Sequence, residues 1–454
     1  MLMRIALTVV LALGICSSAQ GSIFDIYGFN ARGIAMGGAQ TAEANDYTAA
    51  FYNPAAAVGP TNIVWGAGFM VAAPFLNVDR KKPVCMGPGL VCNGQYGTNY
   101  SNLDTALPQA FSGFTLGWLF PFGGALENRL TMALAVYMPT NNIIRAEGLD
   151  PQMPQFYMYQ NLPDQLVILT SLAYKPTDWF SMGLGAQVLA NVFGAASFDI
   201  DIVNGRFNDQ NYKVELSPSA AAIAGLQITP NKTLKLGFSY RQAIGLEFSL
   251  PADIHASNAA GLLLNVGGSV LYTPHQFNLG VSYLFEDMNL TVSADLGYAL
   301  WSHAPDPSPK VVVDFGGKLL DAFGLENAID IGTNTPPTEL AFNDTLTPRI
   351  GMEWSANNWF KLRGGYYYRP SPAPKANGAY NYLDNDMHAF SMGAVFIFSD
   401  PFGVHPKPIS VEFTQQLGWL PRRTVIKQDP NDPIGDLSHD GFTYLFSMTV
   451  NHAY

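Results

Sequence analysis

The sequence predicts an all-β fold, namely a transmembrane antiparallel β-barrel of about 14 strands with an N-terminal hatch, or plug, in its lumen. Composition is the first reason: 48% of the 454 residues are hydrophobic and 13% are charged, about half the charged share of a soluble globular protein. The second is that no segment after the N-terminus reaches the ~18 to 20 apolar residues of a membrane-spanning helix. The third is a two-residue alternation of apolar and polar side chains, which suits barrel strands that are each only half apolar.

Residues 1 to 19 are predicted to be a signal peptide. Arg4 forms a basic start, Ile5 to Ile15 form an apolar stretch, and Ala19 provides the small residue that signal peptidase requires. The mature protein is therefore expected to be exported. A lipoprotein anchor at Cys16 is the disfavoured alternative, because Ile15 precedes it where a small residue is expected.

Residues 20 to 60 are predicted to form the hatch. This segment is rich in Gly and Ala, lacks the alternation of a strand, and is long for a periplasmic tail. Small residues would allow its backbone to approach the barrel wall closely. Within it, Asn53, Pro54 and Ala55 predict a sharp turn, because the Asn side chain and the fixed proline φ both favour one.

Residues 61 to 454 are predicted to form the barrel. From Leu234 to Leu246 apolar side chains alternate with Lys235, Ser239 and Arg241, and the segment after Asn289 alternates in the same way. A soluble β-sandwich shows a similar alternation, but these strands exceed the usual length of about 5 or 6 residues. The candidate strands, whose even number suits a bacterial barrel, begin near Thr61, Gln109, Leu130, Asp164, Trp179, Tyr212, Leu234, Tyr272, Asn289, Phe342, Asn358, Asp386, Pro408 and Asp440.

Short and long connections alternate along the chain, as in outer-membrane barrels with short periplasmic turns. Long loops are predicted around Cys85, Pro151, Asn204, Ala256, Ala322, Asn377 and Asn431. Aromatic residues crowd the short-turn ends, among them Trp179, Trp354 and Trp359. They are expected to form an interfacial girdle, the alternative being that strands simply favour aromatic residues.

Charge and cysteine content limit the partners. With 24 basic and 35 acidic residues and no basic stripe, the chain is not expected to bind nucleic acid. Cys85 and Cys92, close together in an exported protein, predict a local disulfide. No metal site or cofactor is predicted, and the acidic run from Asp429 to Asp440 is expected to be a solvated outer loop, with cation bridging to lipopolysaccharide as the alternative.

Several motifs resemble those of the FadL-type long-chain fatty acid transporters of Gram-negative outer membranes, over almost the whole chain. They are the hatch GIAMGGAQTAEANDYTAAFYNPAA, VYMPTN around Pro139, LTVSADLGYALWS, and the long segment from Phe342 that contains TPRIGMEW and KLRGGYYYRPSPAP. The pair Cys85 and Cys92 departs from the family pattern. The resemblance implies a monomeric barrel in outer-membrane lipid and lipopolysaccharide that takes up a hydrophobic small molecule such as a fatty acid, a hydrocarbon or a detergent.

Candidate ligand-binding residues fall into two groups. Arg241, Arg349 and Arg363 are predicted to point inward, where they could anchor a carboxylate or pair with inward acids such as Asp295, Glu247 and Glu353 in a charge network. Apolar residues of the outer loops could catch a lipid at the cell surface, or the loops could pack on one another. These loop residues are Phe156, Tyr157, Met158, Tyr159, Leu262, Leu263 and Leu264.

The third strand is the predicted site of lateral release through the wall. Pro139 lacks a backbone donor near the strand's outer end, and family members carry an inward kink here, with Tyr137 and Pro139 in matching positions. The alternative is that Pro139 only ends the strand. No arrangement of catalytic residues is recognisable, so an enzyme is not expected; a general porin or an adhesin-like structural barrel is the rival function.

Overall fold

The computed structural model describes residues 23–80, 107–142, 153–159, 165–201, 206–256, 260–308, 310–316, 340–377, 380–399, 407–428 and 435–453. The predicted signal peptide and the pair Cys85 and Cys92 lie outside these residues. The described chain begins with helices α1 (Ile23–Tyr27), α2 (Asn30–Ala35) and α3 (Ala49–Tyr52), followed by a 3-10 turn at Pro54–Ala57. Over these ranges, none of the helices is both long and apolar enough to cross a membrane.

The rest of the described chain is dominated by strands, with further single 3-10 turns at Gly124–Leu126, Glu286–Met288 and Trp301–His303. The strands are β1 (Val64–Arg80), β2 (Phe111–Pro121), β3 (Leu130–Pro139), β4 (Gln155–Phe156), β5 (Val167–Thr177), β6 (Phe180–Asp201), β7 (Arg206–Ile228), β8 (Leu234–Arg241), β9 (Ile244–Ala256), β10 (Ala260–Thr273), β11 (Gln276–Phe285), β12 (Leu290–Ala299), β13 (Lys310–Gly316), β14 (Thr345–Ser355), β15 (Phe360–Arg369), β16 (Tyr382–Leu383), β17 (Met387–Phe398), β18 (Ile409–Val425) and β19 (Leu437–Ala453).

Fourteen of these strands form a closed antiparallel barrel. The ring runs β1, β2, β3, β5, β6, β7, β8, β11, β12, β14, β15, β17, β18 and β19. It closes because β1 pairs with β19 along its whole length, from Val64 opposite Ala453 to Arg80 opposite Leu437. Closure pairs both edges of the sheet. The predicted barrel is confirmed, and each predicted strand start lies within a few residues of one of these strands.

Apolar side chains face outward from the barrel and polar ones face its interior. On β8 and β11, Leu236 and Leu279 are 40% and 60% exposed, whereas Ser239 and Arg241 are buried. A soluble sandwich buries its apolar face instead, so this arrangement excludes that alternative. Trp179, at the turn between β5 and β6, is also exposed.

The segment around Ile244 differs from the prediction. The single strand expected from Leu234 to Leu246 is two strands, because the chain bends after Arg241. At the bend the backbone N–H of Gln242 donates to the Ala222 carbonyl, and the side-chain oxygen of Gln242 accepts from the Ala222 N–H. Ile244 was expected on the outer face with Leu236 but is 1% exposed, since β9 leaves the barrel ladder here.

Two predicted long loops are strands that extend beyond the barrel. Around Asn204 the chain forms the outer ends of β6 and β7, which pair from Phe180 opposite Ile228 to Asp201 opposite Arg206. Around Ala256 it forms the hairpin of β9 and β10. Strand β9 also pairs in parallel with β6, and β10 pairs with β13. The outer sheet therefore has the order β7, β6, β9, β10, β13, which satisfies backbone groups that a loop would leave to water.

The N-terminal segment, residues 23–60, lies within the ring of strands. Its backbone passes over inward-facing glycines of the wall, where a side chain would overlap it: Gly225 lies beside Asn53, Gly351 beside Met36, and Gly365 beside Gly37. Gly225 belongs to β7, and the other two belong to the paired strands β14 and β15, so the segment contacts the wall at two separate places. The boundaries of this region at residues 19 and 60 remain predictions.

Candidate functional site

The N-terminal segment is tied to the wall at the turn around Asn53. The Asn53 side chain donates to the carbonyls of Thr41 and Leu226 at 2.7 and 3.1 Å and accepts from the N–H of Ala55 at 3.1 Å. Ser181 of β6 donates to the Ala55 carbonyl at 2.8 Å. The turn therefore joins two parts of the segment to β6 and β7. Pro54 begins the 3-10 turn that follows.

An aromatic cluster connects the N-terminal segment to the third strand. The Phe24 ring packs edge-on against Phe29, Phe51 and Tyr137, with centroid distances of 4.6, 5.4 and 5.2 Å. Tyr137 is buried, and its ring covers Gly113 of the neighbouring strand β2. A movement of α1 would therefore disturb the packing of Tyr137.

Pro139 is the last residue of β3 and lies where the wall loses a hydrogen bond. The N–H of Thr140 donates to Ser112 of β2 at 3.0 Å. The backbone N–H groups of successive residues in a strand point to opposite neighbouring strands. Since the N–H of Thr140 points to β2, the nitrogen of Pro139 faces β5. The ladder between β3 and β5 ends just before it, at Tyr137 opposite Val167. Pro139 therefore ends the strand, and the described ladder between β3 and β5 stops two residues before it.

Two neighbouring cavities lie between the N-terminal segment, the wall and the outer loops. Both aromatic and polar side chains line the inner one. Its lining includes Phe24, Asp25, Phe51, Tyr52, Arg241, Asn278, Arg349 and Tyr367. The outer cavity shares Asp25, Asn278 and Arg349 with the inner one and reaches Met158 and Trp301 of the loops. Each cavity is small, with a volume of about 30 Å³, and the three shared residues place the two side by side.

The three predicted arginines have different environments. Arg241 forms an ion pair with Asp25, donates to Gln276, and lies 4.1 Å from the centre of the Phe51 ring. Arg349 makes no ion pair within the described part of the chain; its Nη1 lies 3.4 Å from Asn278 Oδ1. Both arginines therefore line the inner cavity, with Arg241 held more firmly.

Arg363 belongs to a separate buried charge network. Its Nε and Nη1 each lie 2.6 Å from a carboxylate oxygen, of Glu353 and Glu412 respectively. Arg32 of α2 lies 3.6 Å from Glu353 and 3.4 Å from Glu43. The network therefore connects the N-terminal segment to the wall. For Arg363 this corresponds to the charge network named above as the alternative to anchoring a carboxylate. Lys361 and Lys235 extend it by contacts to Glu353 and Glu43, and the side chain of Glu247 lies outside the described part of the structure.

The four loop residues from Phe156 to Tyr159, predicted to catch a lipid at the cell surface, are buried. Strand β4 pairs in parallel with β16, placing Phe156 opposite Leu383. Tyr157 packs edge-on against Phe342 at 5.0 Å. These loops pack on one another, and of the four residues only Met158 is among those that line the outer cavity. Leu262, Leu263 and Leu264 lie in β10, and their side chains are outside the described part.

Tyr159 is fixed by a buried polar group that the sequence analysis missed. Arg369, at the outer end of β15, donates to both oxygens of Asp384 at 2.8 and 2.9 Å and to the Tyr159 hydroxyl at 3.2 Å. Burial raises the pKa of Tyr159 to about 12, so its hydroxyl stays protonated at neutral pH. Asn278 and Gln276 were missed as well. The available signal was their inward position in the two-residue alternation of β11.

Comparison with known proteins gives the family. The model of the family described as "Outer membrane protein transport protein (OMPP1/FadL/TodX)" matches residues 12–404. A curated relative, alkane uptake protein A of Marinobacter nauticus, is 22% identical over 290 residues, which is 60% of this chain and 60% of the relative.

Solved structures agree in fold. A Pseudomonas aeruginosa FadL homologue superposes with a TM-score of 0.61 at 15% identity, covering 93% of this chain and 98% of that one. The P. putida toluene transporter TodX superposes with a TM-score of 0.53 at 14% identity, covering 95% and 99%. With the family match over most of its length and a barrel closed by fourteen strands, the chain belongs to the FadL/TodX family of outer-membrane transport proteins of Gram-negative bacteria.

Proposed function

We propose that this protein mediates passive uptake of hydrophobic small molecules, such as hydrocarbons or long-chain fatty acids, across the outer membrane. The observation that carries the proposal is the inner cavity, where Phe24, Phe51, Tyr52 and Tyr367 form an apolar lining inside a barrel. Apolar pockets with a few placed polar groups are typical of small-molecule sites. The names of the relatives, an alkane uptake protein and a toluene transporter, support the same class of cargo. No catalytic role is proposed.

In this proposal the aromatic side chains hold the body of the cargo, and Arg241 and Arg349 mark the polar end of the cavity. Arg363 has a structural role instead, because two carboxylates already occupy its guanidinium. The buried loop residues around Tyr157 form the cover of the outer cavity. The N-terminal segment acts as the hatch, and the cargo reaches the cavity from the loop side.

The cargo leaves sideways into lipid between β3 and β5. A hydrophobic molecule loses its favourable environment in a wet lumen, whereas lipid lies directly beside the wall. The missing donor at Pro139 faces β5, which leaves the outer end of this seam weaker than the rest. The contact of Phe24 with Tyr137 couples movement of the hatch, anchored at the Asn53 turn, to this seam.

A disulfide across the seam tests lateral release. Val136 and Ile168 lie directly opposite each other in the pair of positions that does not exchange hydrogen bonds, where side chains are closest. Val136→Cys with Ile168→Cys should therefore bridge the seam and abolish uptake, and reduction should restore it. The matched control is Met132→Cys with Leu172→Cys, which bridges the same strands near the short turns and should transport normally.

Undiminished uptake by the oxidised Val136→Cys/Ile168→Cys protein would show that the cargo does not pass between β3 and β5. Loss of uptake in both bridged proteins would instead show that stiffening of the barrel, rather than closure of the seam, is responsible. Either result contradicts the proposed route.

A general porin is the rival function. The buried charge network and the wall glycines that accommodate the N-terminal segment argue against a wide aqueous pore. A porin would conduct ions steadily in a planar bilayer, whereas a hatch held by these contacts should keep the conductance of the intact protein small.

A further inference from the structure

A third cavity lies at the other end of the barrel, among the short turns that face the periplasm in outer-membrane barrels. Its volume is about 310 Å³, about ten times that of the inner cavity and at the lower end of the range of small-molecule sites. The N-terminal segment forms one side of it, and strands β5 to β8 form the other. Its lining includes Glu43, Val58, Pro60, Lys175, Thr229 and Lys235.

The charge that this cavity offers to a ligand is positive. Lys175 and Lys235 stand at inward positions of β5 and β8, and each keeps 29% of its side chain exposed. Glu43 is buried, and its carboxylate is already held by Lys235 at 2.9 Å, by Ser282 at 3.0 Å and by Arg32 at 3.4 Å. Among the described ion pairs, the network that contains Glu43 joins four cations to three carboxylates. An anion in the cavity is therefore attracted by more positive than negative charge.

Lys175 is the more available of the two ammonium groups. Its nitrogen lies 3.8 Å from Asp178, whose side chain is fully exposed in the turn after β5, so this ion pair contributes little. The ammonium group of Lys235, by contrast, is bonded to buried Glu43. A ligand carboxylate can therefore replace Asp178 at Lys175 without leaving a buried charge unpaired.

Apolar residues line the cavity beside the ammonium groups. Ala56, Val58 and Pro60, near the end of the N-terminal segment, all contribute to the lining. Val58 and Pro60 are partly exposed, so a ligand that covers them removes apolar surface from water. A molecule that suits both kinds of lining has an anionic head and a short apolar body.

We propose that this cavity binds a carboxylate with a short apolar body and that the bound acid stabilises the docked N-terminal segment. The carboxylate accepts from the ammonium group of Lys175, and the apolar body covers Val58 and Pro60. Because the cavity is formed jointly by the segment and the wall, the ligand binds while the segment is docked and shifts the equilibrium toward that state. The site lies at the other end of the barrel from the inner cavity, and the inference does not depend on the proposed route of uptake.

Protection of a cysteine from labelling tests the site. Thr229→Cys places a thiol on the cavity wall. Its reaction with a small thiol reagent is followed in the full-length protein in nanodiscs of zwitterionic lipid, and the wild type gives the background from native cysteines. At a free concentration of about one hundred times its Kd, octanoate should slow the reaction about a hundredfold.

Two further probes separate the head of the ligand from its body. Octylammonium has the same body and the opposite charge, and it should bind about fivefold more weakly than octanoate, the difference expected for one partly exposed ion pair. Acetate has the same head without the apolar body and should also bind more weakly than octanoate. No protection by octanoate would show that the cavity holds only water, and equal binding of octylammonium or of acetate would overturn the proposed ligand class.

A pair of lysine substitutions tests the anchor. In the Thr229→Cys protein, Lys175→Met should remove the preference for octanoate over octylammonium. The matched control Lys232→Met, in the exposed turn between β7 and β8, should keep it. A preference that persists in Lys175→Met, or that is lost equally in Lys232→Met, would overturn the role of Lys175.

Hydrogen–deuterium exchange tests the effect on the N-terminal segment. Backbone amides between residues 30 and 57 of the wild type should exchange about a hundredfold more slowly when octanoate is present at about one hundred times its Kd. Exchange that bound octanoate leaves unchanged would overturn the stabilisation of the docked segment. Uptake of an uncharged hydrocarbon is measured separately, so failure of this inference is distinguishable from failure of the proposed function.

Discussion

Replacing Asn53 by alanine should release the N-terminal segment without unfolding the barrel. The substitution removes three hydrogen bonds, to Thr41, Leu226 and Ala55. Only the bond to Leu226 reaches the wall, and the other two hold the segment's own fold. At about 1 kcal/mol each, the free energy of opening the segment, that is, of undocking and locally unfolding it together, should fall by about 3 kcal/mol. Because about 1.4 kcal/mol corresponds to a factor of ten, the population of the opened segment should rise roughly a hundredfold. The fourteen-strand ladder makes no use of Asn53, so the barrel itself should keep its stability.

Hydrogen–deuterium exchange measures this effect directly. Backbone amides between residues 30 and 57 should exchange roughly a hundredfold faster in Asn53→Ala, while amides of β14 and β15 should exchange at the wild-type rate. The matched control is Asn357→Ala, which removes a single bond to the N–H of Trp359 in an exposed short turn and should leave the N-terminal segment protected. Unchanged exchange of the segment in Asn53→Ala would refute its anchoring role, and faster exchange throughout the barrel would refute the independence of the two parts.

Two further substitutions test how the wall accommodates the N-terminal segment. Gly365→Ala should displace the segment and make it sensitive to protease, because the new methyl group overlaps the Gly37 backbone. Gly364→Ala should be tolerated, since its Cβ would come no closer than 3.8 Å to the Met352 side chain. Equal protease resistance of the two variants would contradict the close packing. Arg363→Met removes the buried ion-pair partner of Glu412 and one of the three cationic partners of Glu353, and should cost about 3 to 5 kcal/mol of stability. The loss is measured as earlier loss of heat-modifiable migration on gels, and an equal loss from exposed Arg422→Met would show that burial is not the cause.

The barrel could be predicted because each membrane-spanning strand has an apolar face toward lipid and a more polar face toward the lumen. Leu236 and Ser239 follow that rule, and so do the residues of β12. Where the chain leaves the membrane the rule no longer applies. At the bend Gln242 stands at a position of the apolar face and Ala243 at one of the polar face, and Gly245 follows Ile244. This interruption is the local signal that β9 departs from the ladder, and the prediction of one strand through Leu246 overlooked it. The outer halves of β6 and β7, predicted as a loop, also lie where the rule no longer applies.

The site depended on contacts between residues far apart in sequence. Asp25 and Arg241 are 216 positions apart, and Asn53 lies 173 positions from Leu226. The alternation predicts that Arg241, Arg349 and Arg363 point inward, but it does not give their acidic partners. The partner of Arg241 depends on where α1 docks, and those of Arg363 depend on the pairing and register of the strands. The burial of Phe156 likewise depends on β16, which follows more than two hundred residues later.

Uptake by cells and conductance of the purified protein together test most directly whether this barrel transports hydrophobic molecules. Intact protein is placed in the outer membrane of a Gram-negative host that lacks its own transporters of this class, and uptake of radiolabelled toluene and a long-chain fatty acid is followed; the same purified protein is then inserted in a planar bilayer. We expect saturable uptake of at least one of these molecules together with a small conductance. Uptake no faster than in cells without the protein, combined with a large and steady conductance, would contradict it and would identify a general porin.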